Sequence, residues 1–262
     1  MKKILALALV LTMILAFAAC GGNNNGQTTG TTTGTTTAAS TTTTPTSTSP
    51  AVTFDPSAKD EGTMTYAEYA AAAIDDEVVV EFFVQAIQNL SWKSAVTIYG
   101  QDPDGAYFVY EMPCDSELMA KLVAGTKVKV TGYKAAYKGE IEIIDCTLEI
   151  MEGSWIAEVT DVTDLLGNDA LVNHQNKLVL FKGMTVKSIS YKQDEYDKDI
   201  YVTFTKDDVD YDFCVENNLT GPDTDVYKAV SALSEGDVVD VTGFLYWWQG
   251  PNPHITAVSA AA

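Results

Sequence analysis

Leu122-Val-Ala-Gly125-Thr-Lys-Val128-Lys-Val130-Thr131-Gly132-Tyr133 is echoed by Leu233-Ser-Glu-Gly236-Asp-Val-Val239-Asp-Val241-Thr242-Gly243-Phe244. Every matched position differs by 111 in number, without a gap, across twelve residues. The segment reads as a helix end, a Gly turn and a strand. Val128 and Val130 face inward, and Lys129 and Thr131 face outward. Gly132 and Gly243 fall where such a strand bends sharply. The chain therefore holds two copies of one unit.

Each copy can be read outward from this anchor. In the first, Glu77–Leu90 is a long, strongly apolar strand and Ala95–Tyr99 alternates as a second. Gln101-Asp-Pro-Asp-Gly105 is a turn built from residues that favour turns. Ala106–Met112 returns as a third strand. Asp115–Leu122 is a short helix that Asp115 or Ser116 can cap. Lys127–Tyr133 and Glu140–Ile150 are strands four and five. The second copy repeats the order: Lys177–Ile189, Ile200–Phe204, Asp210–Val215, a helix over Asp225–Leu233, Val238–Phe244 and His254–Val258. A short helical stretch precedes each first strand, at Tyr66–Ala73 and near Asp164–Asn173.

Five strands with a helix between the third and fourth is the order of the OB-fold barrel. The motif L-x-x-G-x-x-V-x-V-x-G resembles the lead-in to strand four of bacterial OB-fold domains. The expected fold class is thus all-β with short helices: two tandem five-stranded OB-fold-like barrels, residues 63–155 and 156–262. A pair of immunoglobulin-like sandwiches would need about seven strands per copy and no internal helix.

Ahead of the barrels the composition changes. Lys2 and Lys3 precede an apolar run, Ile4–Ala19, broken only by Thr12. As a helix it would span about 24 Å, short of the roughly 30 Å hydrocarbon core, so it reads as a signal peptide over residues 1–20. The run ends Phe17-Ala18-Ala19-Cys20, which resembles the lipobox of bacterial lipoproteins, with Phe17 where the family usually has Leu. The resemblance implies lipidation of Cys20 and anchoring at the extracytoplasmic face of the cell membrane. Residues 21–62 are rich in Thr, Gly and Ser and lack apolar periodicity, which marks a disordered tether. Its r.m.s. reach is roughly 30–35 Å on flexible-chain scaling. Such Thr-rich tethers resemble those of Gram-positive surface lipoproteins.

The remaining residues narrow the chemistry. Formal net charge is −20, from 36 acids and 16 bases, and the bases are all Lys. Residues 64–155 carry 15 acids and 6 Lys, and residues 156–262 carry 18 and 7. Nucleic-acid affinity depends on neutralising phosphates, so this balance argues against a nucleic-acid partner. Cys114, Cys146 and Cys214 are an odd set for an exported chain; a Cys114–Cys146 bridge is possible, as are three buried thiols. No C-x-x-C, nucleophile–base grouping or cofactor motif stands out, so no catalytic residue, no cofactor and no enzyme activity are expected.

OB barrels bind ligands on the face of strands two and three, framed by the one–two and four–five loops. In the second copy the four–five loop holds Tyr246, Trp247 and Trp248. Three consecutive aromatics cannot all point inward, so at least one is a candidate ligand contact. The plainer reading has a Trp plugging the barrel end and Tyr246 covering an edge. Trp92, in the first one–two loop beside Lys93, is a second candidate. Asp208, Asp210 and Asp212 share one strand face, more simply solvated than a metal site. The expected function is non-enzymatic binding at the cell surface, of a glycan, peptide or envelope component or an extracellular protein partner. The alternatives are an OB-fold nucleic-acid-binding protein and a structural adaptor or accessory domain of a surface complex.

Overall fold

A computed structural model describes residues 54–195 and 197–261. The expected signal peptide, Cys20 and the tether up to residue 53 lie outside the described residues. Two closed barrels follow one another. In the first, β1 (Glu77–Leu90) lies between β2 (Ala95–Gln101) and β4 (Thr126–Tyr137). The circuit runs through β3 (Ala106–Pro113) and β5 (Glu140–Ser154), which meet in parallel at Val109 and Ile143. In the second, β7 (Leu178–Tyr191), β8 (Ile200–Lys206), β9 (Val209–Val215), β11 (His254–Ala260) and β10 (Val238–Phe244) take the same order. A β10–β7 pairing closes that barrel too.

The strand order follows from how the first strand of each copy is used. The N-terminal half of β1 pairs with β4 and its C-terminal half with β2, with a bulge between Val84 and Ala86. β7 divides in the same way between β10 and β8. A strand that serves two neighbours must coil, and coiling closes a small barrel. Val78, Val80, Phe82 and Val84 point into the first core; Val179, Phe181 and Met184 line the second.

The repeated segment performs the same task twice. Gly125 and Gly236 have φ of +91° and +93°, and their N–H groups donate to the Val84 and Val186 carbonyls at 2.7 and 2.8 Å. Gly132 and Gly243 lie at register shifts of β4 and β10. A Cβ on Gly243 would come within 2.4 Å of the His254 carbonyl oxygen, so no side chain fits there. The helices between the third and fourth strands are α2 (Ser116–Met119), capped by Asp115, and α3 (Asp225–Ser231), capped by Thr224. α1 (Tyr66–Ala71) opens with a Thr65–Glu68 capping box.

Four local features add to or change this reading. Residues 54–62, whose composition belongs with the tether, pack on the first barrel. There Lys59 Nζ donates to the buried Asp102 carboxylate and to the Glu81 carbonyl, both at 2.6 Å, and Phe54 meets Phe83 edge-on. The helical stretch near Asp164–Asn173 is two 3₁₀ turns, Thr163–Leu165 and Asp169–His174, separated by Gly167 at φ +75°. A two-residue strand, β6 (Thr160–Asp161), adds in parallel to β7. Cys114, Cys146 and Cys214 are all buried free thiols, so the possible Cys114–Cys146 bridge is absent.

The barrels pack directly on each other. Tyr99 of β2 stacks on Phe244 at the end of β10, with ring centroids 4.3 Å apart and planes within 10°. Phe108 of β3 packs against Tyr246 at 5.5 Å. Tyr99 Oη and the fully buried His254 Nδ1 share a 2.7 Å hydrogen bond. Around this apolar centre runs a polar seam. Asn176 Nδ2 and the Trp247 N–H donate to Glu140 at 2.6 and 2.8 Å, and the Gln249 N–H donates to the Lys138 carbonyl at 2.6 Å.

Burial pushes Glu140 up to about 8, against the hydrogen bonds from Asn176, Trp247 and Ile141 that favour its charge, and holds His254 down to about 4. A raised carboxyl binds more protons folded than unfolded, so its contribution is present at low pH and lost as pH rises towards 8. A depressed imidazole acts oppositely, and its contribution is complete above its ordinary value of about 6.5. Between about pH 6.5 and 8 Glu140 acts in the same direction as Glu142, raised to about 6 by burial, and Glu216, raised by burial too. Unfolding free energy should fall across that window by on the order of 1–2 kcal/mol. Glu140→Gln should flatten the slope whatever its absolute stability; an unchanged slope in denaturant titrations would remove Glu140 as the cause.

An aromatic cleft between the barrels

The face of strands two and three expected to bind ligand is occupied in the first barrel. Every residue of β2 is buried, and the outward-facing Tyr99 and Phe108 are covered by Phe244, Tyr246 and His254. That face is an interface, which corrects its assignment as a binding surface. In the second barrel the corresponding face stays open, with Tyr201 and Asp212 exposed. Where this open face meets the first barrel there is a cleft of about 610 Å³.

The cleft gathers candidates that lie far apart in the chain. Trp92 and Lys93 come from the 3₁₀ turn Ser91–Lys93 between β1 and β2, which ends at Ser94 in the left-handed region. Trp92 is 76% exposed on this tight turn. Lys93 Nζ lies 5.0 Å from the centre of the Trp92 ring and pairs with Glu111. The second barrel supplies Tyr201, Tyr246 and Trp248, with Lys192 bonded to Asp199 at 2.8 Å.

The loop between β10 and β11 is a small hairpin, which explains how three adjacent aromatics separate. The Trp248 N–H donates to the Gly250 carbonyl and the Asn252 N–H to the Tyr246 carbonyl, both at 2.8 Å. Gln249 and Gly250 make the turn at φ +59° and +154°. Tyr246 lies on His254 at 4.4 Å in the interface. Trp247 packs against the second core and over Gly139, where a Cβ would meet its ring at 2.7 Å. Trp248 projects outward, 47% exposed, with its ring edge-on to Tyr137 at 5.5 Å. Trp247 is the plug and Trp248 the exposed member. Tyr137 and Tyr110, both about half exposed, extend the aromatic surface onto the first barrel. The sequence carried no sign of their part, because their partners belong to the other copy.

Cys214 and His254 are register partners across β9 and β11, and both line the cleft. They are not an activated thiol pair. Burial and then the nearby acids Asp199 and Glu216 push the Cys214 thiol up, and burial holds His254 neutral. Nucleophilic cysteines need the reverse electrostatics.

Among the described residues the three aspartates considered for a cation do not form a group that could hold a metal ion. Asp208 is a β8–β9 turn residue at φ +63°. Asp210 accepts from Thr205 and pairs with Lys187, and Asp212 accepts from Thr203 at 2.7 Å. Among the described residues no group of three His, Cys, Asp or Glu could hold a metal ion.

No family model matches the chain. No curated protein matches it either. Solved structures with a similar fold include a murine DNA-binding protein bound to double-stranded DNA, at 10% identity and a TM-score of 0.33, covering 71% of this chain and 100% of that one. Another is the Ifi202 HINa domain in complex with a 20-bp double-stranded DNA, at 11% identity and a TM-score of 0.33, covering 70% and 98%. A HIN1 domain with a 12-mer double-stranded DNA matches at 11% and 0.33, covering 70% and 90%. The likeness is one of fold. Two expectations are corrected by these matches: that the ligand is a glycan, peptide or envelope component, and that charge sets nucleic acid aside. Neither is carried further.

The division of labour within the loop can be measured. Trp247→Ala should lower stability by about 2–3 kcal/mol, since it opens a cavity against the second core. Trp248→Ala should leave the melting temperature nearly unchanged. Equal losses from the two would contradict the placement of Trp248 outside the core.

Proposed function

We propose that the tandem barrels form one non-enzymatic nucleic-acid-binding protein that holds unpaired bases in the inter-barrel cleft. The observation that carries this reading is the meeting of Trp92 and Trp248, exposed aromatics from different barrels, on one cleft with Lys93 and Lys192. Aromatic faces take any base, with stacking worth roughly 1–3 kcal/mol per base, and OB barrels offer such platforms. The neighbours described as DNA complexes are in keeping with the proposal and add no detail to it.

The net charge of −20 shapes the binding it allows. Both cleft lysines already pair with carboxylates, so few phosphates can be neutralised. Each phosphate contact to a single strand contributes a log–log salt slope of about −0.7, so two give at most about −1.4. Screening of the acidic surface works in the other direction. Binding is therefore led by stacking and depends weakly on salt.

Tryptophan fluorescence tests this with a short single-stranded oligonucleotide. Saturable quenching should persist between about 50 and 200 mM salt. Replacing both Trp92 and Trp248 with Ala should weaken binding at least about tenfold, the loss of one stacked base or more. No binding, or binding that the double variant leaves intact, would overturn the reading. A preference for duplex would show that the cleft does not select unpaired bases.

The proposal has a second part, location. The chain is exported and held at the extracytoplasmic face by lipid on Cys20, supported by Lys2, Lys3, the apolar run and the Phe17–Cys20 sequence. Metabolic labelling with a fatty-acid analogue should mark the parent and not Cys20→Ala, which should leave the membrane fraction. Labelling of both would contradict it.

A further inference from the structure

Beyond Trp248 lies a second depression of about 690 Å³, lined among others by Trp247, Tyr211, Asn168, Asp169, Asp210 and Asp212. Trp248 and Asn252 line both this depression and the cleft. A ligand that leaves the cleft over the Trp248 ring thus enters the second depression without crossing bare surface. Each space falls in the range that holds one small organic unit, so a ligand filling both is a chain with successive flat groups.

The polar groups of the second depression differ from those of the cleft. No lysine lines it. The nearby Lys187 is taken up by Asp210, so a phosphate has no free lysine in the lining, whereas a base edge has carboxylates. Asp210 is committed on both oxygens, to Thr205 and Lys187. Asp212 accepts from Thr203 through Oδ1, and among the described residues no partner takes its other oxygen. The loop carrying Trp248 is tied to this strand, because Asn252 Nδ2 donates to the Asp212 carbonyl at 2.8 Å. The carboxylate and the aromatic wall therefore hold a fixed relation.

A carboxylate can only accept. Cytosine and adenine present an exocyclic amine that donates to it, whereas thymine presents an oxygen at the corresponding position, which a carboxylate repels. We infer that the depression beyond Trp248 is a second base subsite, selective through Asp212 for bases with an exocyclic amine over thymine. This rests on the proposed nucleic-acid function and adds the base preference to it.

Oligo-dC and oligo-dT of equal length test the inference by fluorescence titration of the full chain. Both are pyrimidines with similar stacking area, so the platform alone does not separate them. The parent should bind oligo-dC about tenfold more tightly, as one good base-edge pair provides. Asp212→Asn keeps an oxygen for Thr203 and should erase most of that advantage while leaving oligo-dT affinity unchanged or improved. Equal binding of dC and dT by the parent overturns the subsite and leaves the proposed function standing. Parallel losses for both ligands in Asp212→Asn also overturn it. Binding of neither removes the proposed function and the subsite together.

Discussion

The stack of Tyr99 on Phe244 holds the arrangement together. Two small barrels joined by a short connection would by default move independently. Here the outer face of one barrel is capped by the loop and strand ends of the other, with Phe108, Tyr246 and His254 completing the contact. An aromatic ring buries about 150–250 Å², so each contributes up to roughly 4–6 kcal/mol at about 25 cal/mol per Å². Several such rings suffice to outweigh the freedom lost on docking. The Tyr99–His254 bond then satisfies the two polar atoms that the packing buries.

The cleft follows from that docking. Neither barrel has it alone, since one wall comes from the first one–two loop and the other from the second four–five loop. Docking also changes what each copy can do. The first barrel gives up its open sheet face, and the second keeps one whose outward side chains are Thr, Tyr and Asp. Two copies of one unit thereby take different roles through packing rather than through a different fold.

Much of the fold was legible in the sequence because the signals were local. Glu77–Leu90 and Val238–Phe244 are strands at the expected bounds, since apolar density and the Gly turns mark their ends. The helix after the third strand appears in both copies, capped as Asp115 suggested. What the sequence could not display was anything between copies. Tyr99 and Phe108 read like other core residues of a strand, and nothing local says that they face outward onto a second barrel. Tyr137 looked like part of a plain loop until Trp248 lay beside it. The Tyr246–Trp248 run was visible as a candidate; its division into interface, plug and exposed ring depends on the hairpin geometry at Gln249 and Gly250. Lys59 was counted with the tether because composition alone does not show that Asp102 is buried opposite it.

The most direct check on this account is a set of nuclear Overhauser contacts between ring protons of Tyr99 and Phe244 in the full chain. Rings 4.3 Å apart should give strong cross-peaks, alongside a single correlation time for both barrels. No contact between these rings, with the barrels tumbling at separate rates, would contradict the shared cleft and everything built on it.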